Sequence, residues 1–494
     1  MMNYKVGDRL KIEGNFCTIR FVGVFPKWPS STTYGVEWDN CNRGKNCGVY
    51  EGKTYFKTAS RFGGSFIKES ALSKKVHTSV TFWQAIVNRY MSTSEWDIFY
   101  LGSKKIEAVG IEKLNEKNKK LKSFTKMSLA DHLICDALMD DGEMQLVKEN
   151  LINLTELDLS YNLLSNIDYL CQIISHLTNL QTIDLSGNRF VGRIPHNASY
   201  LFTQVKSLSL VDCGLDNEQL RNLFMIFPSI VKLDISKNAL LDIEDEKLVF
   251  PKSMKELDFN YNKLKHLSQN LFGPNIEILN MSHNEIEFVE VGFSLCLKNI
   301  DLSYNRINCW EAVDQLNANF PQLYSLRVNK NPLLWKDDIS SFYEVIGRLN
   351  NIKIVNGSFL SDELRYEAEL FFVSKLRDGE TSLNKSLKRW ELLSHRYRIT
   401  PTSMVPMKTG LDQVLLEVSL VDQDKHKTEH LTVLSSYSVR YLKCICCKKL
   451  NMNMFRIKIY HGVSSEVVDE LDRDFYTLSH FNINDGDTIY LKTK

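Results

Sequence analysis

Between residues 154 and 331 the apolar positions recur as LxxLxLxxN, and the segments LTELDLSYN (154–162) and LKNIDLSYN (297–305) nearly coincide. The residue at the Asn place is Asn162, Asn188, Cys213, Asn238, Asn262, Asn284, Asn305 and Asn331, at intervals of 21 to 26 residues. Self-similarity at that period predicts a solenoid, each coil giving one short strand and burying its apolar edge only against the next coil. Period-two alternation turns Leu157 and Leu159 inward and the intervening side chains outward. Residues 1–70 differ: short β-type runs (Thr18 to Val24, Tyr34 to Trp38, Thr54 to Phe56, Ser65 to Ile67) are broken by glycines, which predicts a small, tightly turned β-domain. Phe82, Ile86 and Tyr90 recur at helical spacing after the capping candidates Thr78 and Ser79. Near the C-terminus Val414, Leu416, Val418 and Leu420 alternate, and Val439, Leu442, Cys446 and Leu450 share one helical face.

Composition narrows the class. A chain of 494 residues leaves room for about three to four domains, and 43% apolar with 24% charged residues is a globular balance. Lys plus Arg (61) against Asp plus Glu (60) gives net charge +1, which supplies no general pull toward nucleic acid or an anionic membrane. No apolar run reaches the length of a membrane span, and the opening MMNYKVGDRL has no hydrophobic core behind a basic start, so neither membrane anchoring nor export is expected. Eleven scattered cysteines read as free thiols of a reducing compartment.

The middle pattern is that of leucine-rich repeats. The Asn amide at the end of each strand is expected to satisfy backbone groups that the turn leaves unpaired, and Cys213 to donate weakly from the same place. KSFTKMSLADH (122–132) reads as a degenerate first coil and 351–373 as a C-terminal cap running into a helix, so the array spans about 124–373. The outward place after the central Leu holds Asp158, Asp184, Ser209, Asp234, Asp258, Asn280, Asp301 and Arg327. This mainly acidic concave column reads either as a docking face for a basic partner or as solvated consensus aspartates.

In the β-domain, Gly44-Lys45-Asn46-Cys47-Gly48 predicts a tight loop exposing the Lys and Asn side chains and free backbone amides, suited to capturing a carboxylate. VGDRLKIEGNFCTIRFVG, YGVEWDN, RGKNCGVYEGKTYF and GGSFIK resemble, in order, the segments of a CAP-Gly domain, whose loop usually reads Gly-Lys-Asn-Asp-Gly; here Cys47 replaces the Asp. The resemblance implies binding of acidic tails ending in Glu-Glu-Tyr or Glu-Glu-Phe, as on α-tubulin. It implies that Gly44, Lys45, Asn46 and Gly48 form the binding loop, with Lys45 and Asn46 on the carboxylates, and that Trp38, Phe56 and Phe66 line the apolar groove. Gly52-Lys53-Thr54 resembles the end of a phosphate loop, but the required first glycine is absent.

The Lys-rich segment 113–126 reads as part of a connector, 71–123, carrying one helix, and residues 374–410 read as a second linker. Residues 411–494 give two strands, a helix, then strands closing on a Gly-Asp turn, and resemble the ubiquitin-like roll; the ending TIYLKTK lacks Gly-Gly, which implies a docking module rather than a conjugated tag. Cys444, Cys446 and Cys447 within four helical residues diverge around the axis, and no metal, cofactor or catalytic motif is expected.

The fold expected is therefore multidomain: an all-β CAP-Gly barrel (1–70), an α/β leucine-rich-repeat solenoid (124–373) and an α+β ubiquitin-like roll (411–494). That order resembles the tubulin-folding cofactor E family. The resemblance implies a non-enzymatic, cytoplasmic and cytoskeleton-associated chaperone that binds α-tubulin by tail and body. With the other tubulin-folding cofactors and a small Arf-like GTPase it would assemble or dissociate the αβ-heterodimer. Two other readings use the same parts: a microtubule-end adaptor, and a ubiquitin-pathway adaptor whose roll docks on the proteasome.

Overall fold

The computed structural model describes residues 4–91, 100–101, 104–105, 121–136, 139–190, 200–243, 248–267, 271, 275–289, 294–334, 339–397, 415–422, 427–450, 457–464, 467–481, 483 and 486–493. The chain divides into two compact units, Met1–Asp337 with Asn351–Phe359, and Asp338–Asn350 with Leu360–Lys494.

The first unit opens with the strands Arg9–Ile12, Asn15–Phe25, Trp28–Trp38 and Gly64–Lys68, antiparallel in that order. Leu10, Ile12, Cys17, Ile19, Tyr34 and Val36 alternate into its core. The expected strand Thr54 to Phe56 is shorter: Lys53–Thr54 pairs with Val49–Tyr50, and Phe56 leaves the pairing to lie buried beneath Gly35 and Gly48. The helix Glu69–Lys75 crosses the expected domain edge at residue 70 because Leu72 completes this core. The next helix, Phe82–Ile86, starts from Thr81 rather than from Thr78 or Ser79. The Gln84 backbone N–H donates to the Thr81 hydroxyl (3.1 Å) and the Thr81 N–H to the Gln84 side chain (3.2 Å), a reciprocal cap. Val87–Met91 continues as a π-helical turn. Of the Lys-rich segment, residues 113–120 lie outside the described residues.

The array begins with Lys126–Ser128, which pairs in parallel with Glu156–Asp158, and an unbroken parallel ladder runs from there to Ile354–Val355. Ser358–Phe359 closes the edge antiparallel. Each central residue, Leu157 and Ile183 among them, is buried, so the stack of strands and the coils behind them share one continuous core. The Asn column stitches the coils together. Asn162 donates to the carbonyls of Leu129 (2.8 Å) and Leu159 (2.9 Å) and accepts from the N–H groups of His132 (3.1 Å) and Ile134 (3.0 Å). The Cys213 thiol donates to the Leu185 carbonyl (3.4 Å), and burial pushes its pKa up to about 12.

Immediately before each of these residues the backbone enters the left-handed region: φ is 53° at Tyr161, 74° at Gly187, 54° at Asp212, 59° at Lys237, 53° at Tyr261, 54° at His283, 56° at Tyr304 and 59° at Lys330. One residue per coil therefore stands on a common edge, with only one glycine among them.

The β-domain is fastened to this edge. Arg9, its side chain fully buried, makes a bidentate pair with Asp39 (2.6 and 2.7 Å) and donates to the carbonyl of Gly187 (3.3 Å). Lys11 pairs with Asp131 (2.7 Å), and Arg189 pairs with Asp212 (2.7 Å) while approaching Asp39 (3.9 Å).

The second unit takes in the end of the expected array: the helix Ile339–Arg348 packs with Asp362–Arg377. Glu344, buried, accepts from Arg348 (2.9 Å), Lys375 (3.0 Å) and the Thr381 hydroxyl (2.5 Å). These long-range contacts join the cap helices to the rest of the C-terminal unit. Residues 374–410, expected as a linker, begin inside Asp362–Arg377 and continue as Lys388–Tyr397, because Arg389 and Arg396 pair with the buried Glu369 (both 3.0 Å). Residues 398–410 lie outside the described residues. The ubiquitin-like roll is a mixed sheet in the order Lys427–Leu434, Leu415–Asp422, Thr488–Thr493, Ile457–Ser464, Val467–Glu470. Its first and last strands are parallel, and helix Val439–Leu450 buries Val439, Leu442 and Cys446 against the sheet. Val414 lies outside the described residues. Cys444 is exposed where Cys446 and Cys447 are buried, so the three thiols do not converge.

Candidate functional site

The glycines of the loop 44–48 are there for close approach. A side chain at Gly44 would run into the Phe62 carbonyl and the Gly64 backbone, and one at Gly48 (φ +85°) into the Phe56 backbone. The N–H groups of Lys45 (2.7 Å) and Asn46 (3.1 Å) both donate to the Gly64 carbonyl, and the Gly48 N–H donates to Asn46 Oδ1 (2.9 Å). The free backbone amides expected on this loop are therefore spent on fixing its shape. With its oxygen engaged, the Asn46 amide offers its NH₂ group, a donor matched to a carboxylate. Lys45 is exposed beside it.

Lys45 and Asn46 stand on the rim of a groove of about 470 Å³ whose walls also carry Trp38 and Phe66. Phe66 stacks on Phe25 (4.2 Å between centroids, 21° between planes), and Phe25 meets Tyr50 at 4.7 Å. Trp38 donates its indole N–H to the Ser65 hydroxyl (2.9 Å) and lies under the Arg43 guanidinium, 4.0 Å from its ring centre. Phe56 does not line the groove: it lies behind Phe66, 5.3 Å between ring centroids. Sequence reasoning missed Lys27, Trp28, Arg43 and Lys75 on the same groove. They come from three separate segments, and only the fold gathers them into a basic rim over an aromatic floor. One acid intrudes: Glu13 sits between Lys75 (2.8 Å) and Arg43 (3.6 Å), and its hydrogen bond and charge attraction to Lys75 hold its carboxyl below the usual range.

The concave column is in register, Asp158 beside Asp184, Asp234 beside Asp258, and Asp301 beside Arg327. Each aspartate has an internal task. Oδ1 of Asp158, Asp184, Asp234 and Asp301 accepts the N–H of the serine two residues on, and that of Asp258 accepts the Asn260 N–H. Burial pulls the Asp158 carboxyl upward, but bonds from Ser160 and Ser128 outweigh it and leave it below its ordinary value. Burial, helped by the neighbouring Asp234, leaves that of Asp258 raised. Arg327 reaches Asp301 at 3.8 Å.

The CAP-Gly domain family model matches residues 6–72, and leucine-rich-repeat models match 152–199 and 228–286. The chain is similar over its full length to Protein PAC2 of Saccharomyces cerevisiae, 32% identical over 100% of this chain and 97% of that protein. It is 29% identical to the tubulin-specific chaperone E of Xenopus laevis over 73% of this chain and 70% of that one. It is 25% identical to that of Drosophila melanogaster over 99% and 98%. With the groove and the repeat array joined in one polypeptide, these similarities make the chain a member of the tubulin-specific chaperone E family.

Proposed function

We propose that this protein is a tubulin-folding chaperone that captures the acidic, aromatic-ended tail of α-tubulin in the groove of its CAP-Gly domain and holds the tubulin body on its repeat array. The observation that carries the reading is the pairing, in one groove, of cationic rim groups (Lys45, Lys27, Arg43, Lys75) with an aromatic floor (Phe25, Phe66). A carboxylate run followed by one ring needs both, and partial desolvation beside the aromatics strengthens the charge-assisted bonds. Membership of a family whose members are named as tubulin-specific chaperones supports the choice of partner. Binding and positioning are the whole of its chemistry in this reading. The ubiquitin-like roll would recruit the other tubulin-folding cofactors and a small Arf-like GTPase, in the cytoplasm, to join or separate α- and β-tubulin.

The loop geometry dictates the test. Lys45→Ala removes an exposed cation, and Asn46→Asp keeps the acceptor for Gly48 while abolishing the side-chain donor. Each should weaken binding of a peptide ending Glu-Glu-Tyr by about three- to tenfold in calorimetry, roughly one net hydrogen bond. Peptide affinity unchanged in both variants would sink the reading.

A further inference from the structure

The groove of the β-domain already holds one carboxylate of its own. Glu13 stands in the two-residue turn Glu13-Gly14 that joins the strands Arg9–Ile12 and Asn15–Phe25, with φ of 49° at Glu13 and 79° at Gly14. Such a turn favours Asn, Asp or Gly at its first place, so the backbone does not account for a glutamate there. The turn is pinned to the end of the helix Glu69–Lys75. The Glu13 N–H donates to the Lys75 carbonyl (3.3 Å), Ile12 bridges to Val76, and the Asn15 side-chain amide donates to the Glu13 carbonyl (2.9 Å). Its carboxylate then reaches the Lys75 ammonium at 2.8 Å and the Arg43 guanidinium at 3.6 Å, in the groove that Lys45 and Asn46 also line.

The two contacts are unequal. Lys75 makes a charge-assisted hydrogen bond, whereas Arg43, at its longer distance, is attracted without one. The Arg43 guanidinium is held over the Trp38 ring, 4.0 Å from its centre, and its Nε–H is buried with no acceptor among the described residues. A planar guanidinium fixed by a ring and short of acceptors is a preorganised partner for a carboxylate, and Glu13 satisfies it only in part. Among the described residues lining the groove, Glu13 is the one acid beside the cations Lys27, Arg43, Lys45 and Lys75.

We propose that Arg43 and Lys75 form a second carboxylate subsite of this groove, apart from Lys45 and Asn46, and that Glu13 is its internal placeholder, which a side-chain carboxylate of the bound tail replaces. In the functional reading given above, on which this inference rests, one carboxylate of the tail lies at Lys45 and Asn46 while another takes over Arg43. The occupant is identified by the group already seated there. Because the Glu13 and Lys75 side chains are 52% and 49% exposed, solvent screens their pair, and the resident acid moderates affinity without blocking the groove.

The test uses the full chain and two peptides, one acidic and ending Glu-Glu-Tyr, the other identical except that every side-chain carboxylate is replaced by the amide of Gln. Glu13→Asn suits the turn, since Asn tolerates positive φ, and Glu13→Gln keeps the length of the side chain; both should retain the wild-type unfolding midpoint. Each should bind the acidic peptide about three- to tenfold more tightly, with a steeper loss of affinity on added salt, and bind the Gln peptide within about twofold of wild type. Adding Arg43→Gln to Glu13→Asn should erase the gain. Acidic-peptide affinity at or below the wild-type value in both single variants overturns the inference. So does an equal gain for both peptides, which would make Glu13 a residue of the fold rather than a competitor, and so does a gain that survives the loss of Arg43. A wild-type chain that binds neither peptide overturns the functional reading, and this inference with it.

Discussion

At the scale of single residues, the Asn column shows how far a side chain can set backbone geometry. Asn162 is fully buried and joins two coils through donated bonds to the carbonyls of Leu129, Leu159 and Ser160 and accepted bonds from the N–H groups of His132 and Ile134. Asn162→Ala should therefore cost about 3 kcal/mol, from several buried polar groups left unpaired, and lower the thermal midpoint of the first unit. A midpoint within a degree of wild type would show the amide to be dispensable. This role was readable from the repeat pattern. The left-handed residue preceding each column residue was not, since seven of the eight named are not glycine and nothing in Tyr or Lys announces positive φ. The candidate groove was half readable: the loop 44–48 is a local motif. The cations Lys27 and Lys75 reach it only because strands and a helix distant in sequence converge there, and Phe56 gave no sign that it would turn inward.

At the scale of elements, periodicity located the repeat strands because each is a local event repeated. The fate of the cap helix depended on long-range pairing that no local pattern reports. Glu344 meets Lys375 and Thr381, 31 and 37 residues away in sequence. Since this carboxylate is 2% exposed, Glu344→Ala leaves Arg348 and Lys375 without their shared anion. The expected loss is about 3–5 kcal/mol, seen as a lower unfolding midpoint of the second unit and faster hydrogen exchange in Ile339–Arg348 and Asp362–Arg377. Exchange confined to its wild-type rate in both helices would count against the network as the fastening of this cap.

At the scale of the whole molecule, the contact of interest is the one between the β-domain and the array. Arg9 is its centre, buried and shared between Asp39 and the Gly187 carbonyl. Arg9→Met should release the module from the edge while leaving the groove, which Arg9 does not line, able to bind. Calorimetry should then resolve a separate, lower transition for the β-domain. Affinity for the tail peptide should stay constant and affinity for intact tubulin should fall, because tail and body contacts are no longer held in one geometry. A single unchanged transition would mean that the charge network is incidental to the docking.

The parallel strands also make the array a ruler. Successive coils are separated by the interstrand spacing of about 4.8 Å, so excising one complete coil between Cys213 and Asn238 would preserve the local pattern of bonds while sliding Tyr261 and the coils behind it one graduation nearer the docked β-domain. The distance from the docked β-domain to any later coil is thus quantised, and gain or loss of a whole coil changes it by one fixed step without altering the bonds that hold neighbouring coils together.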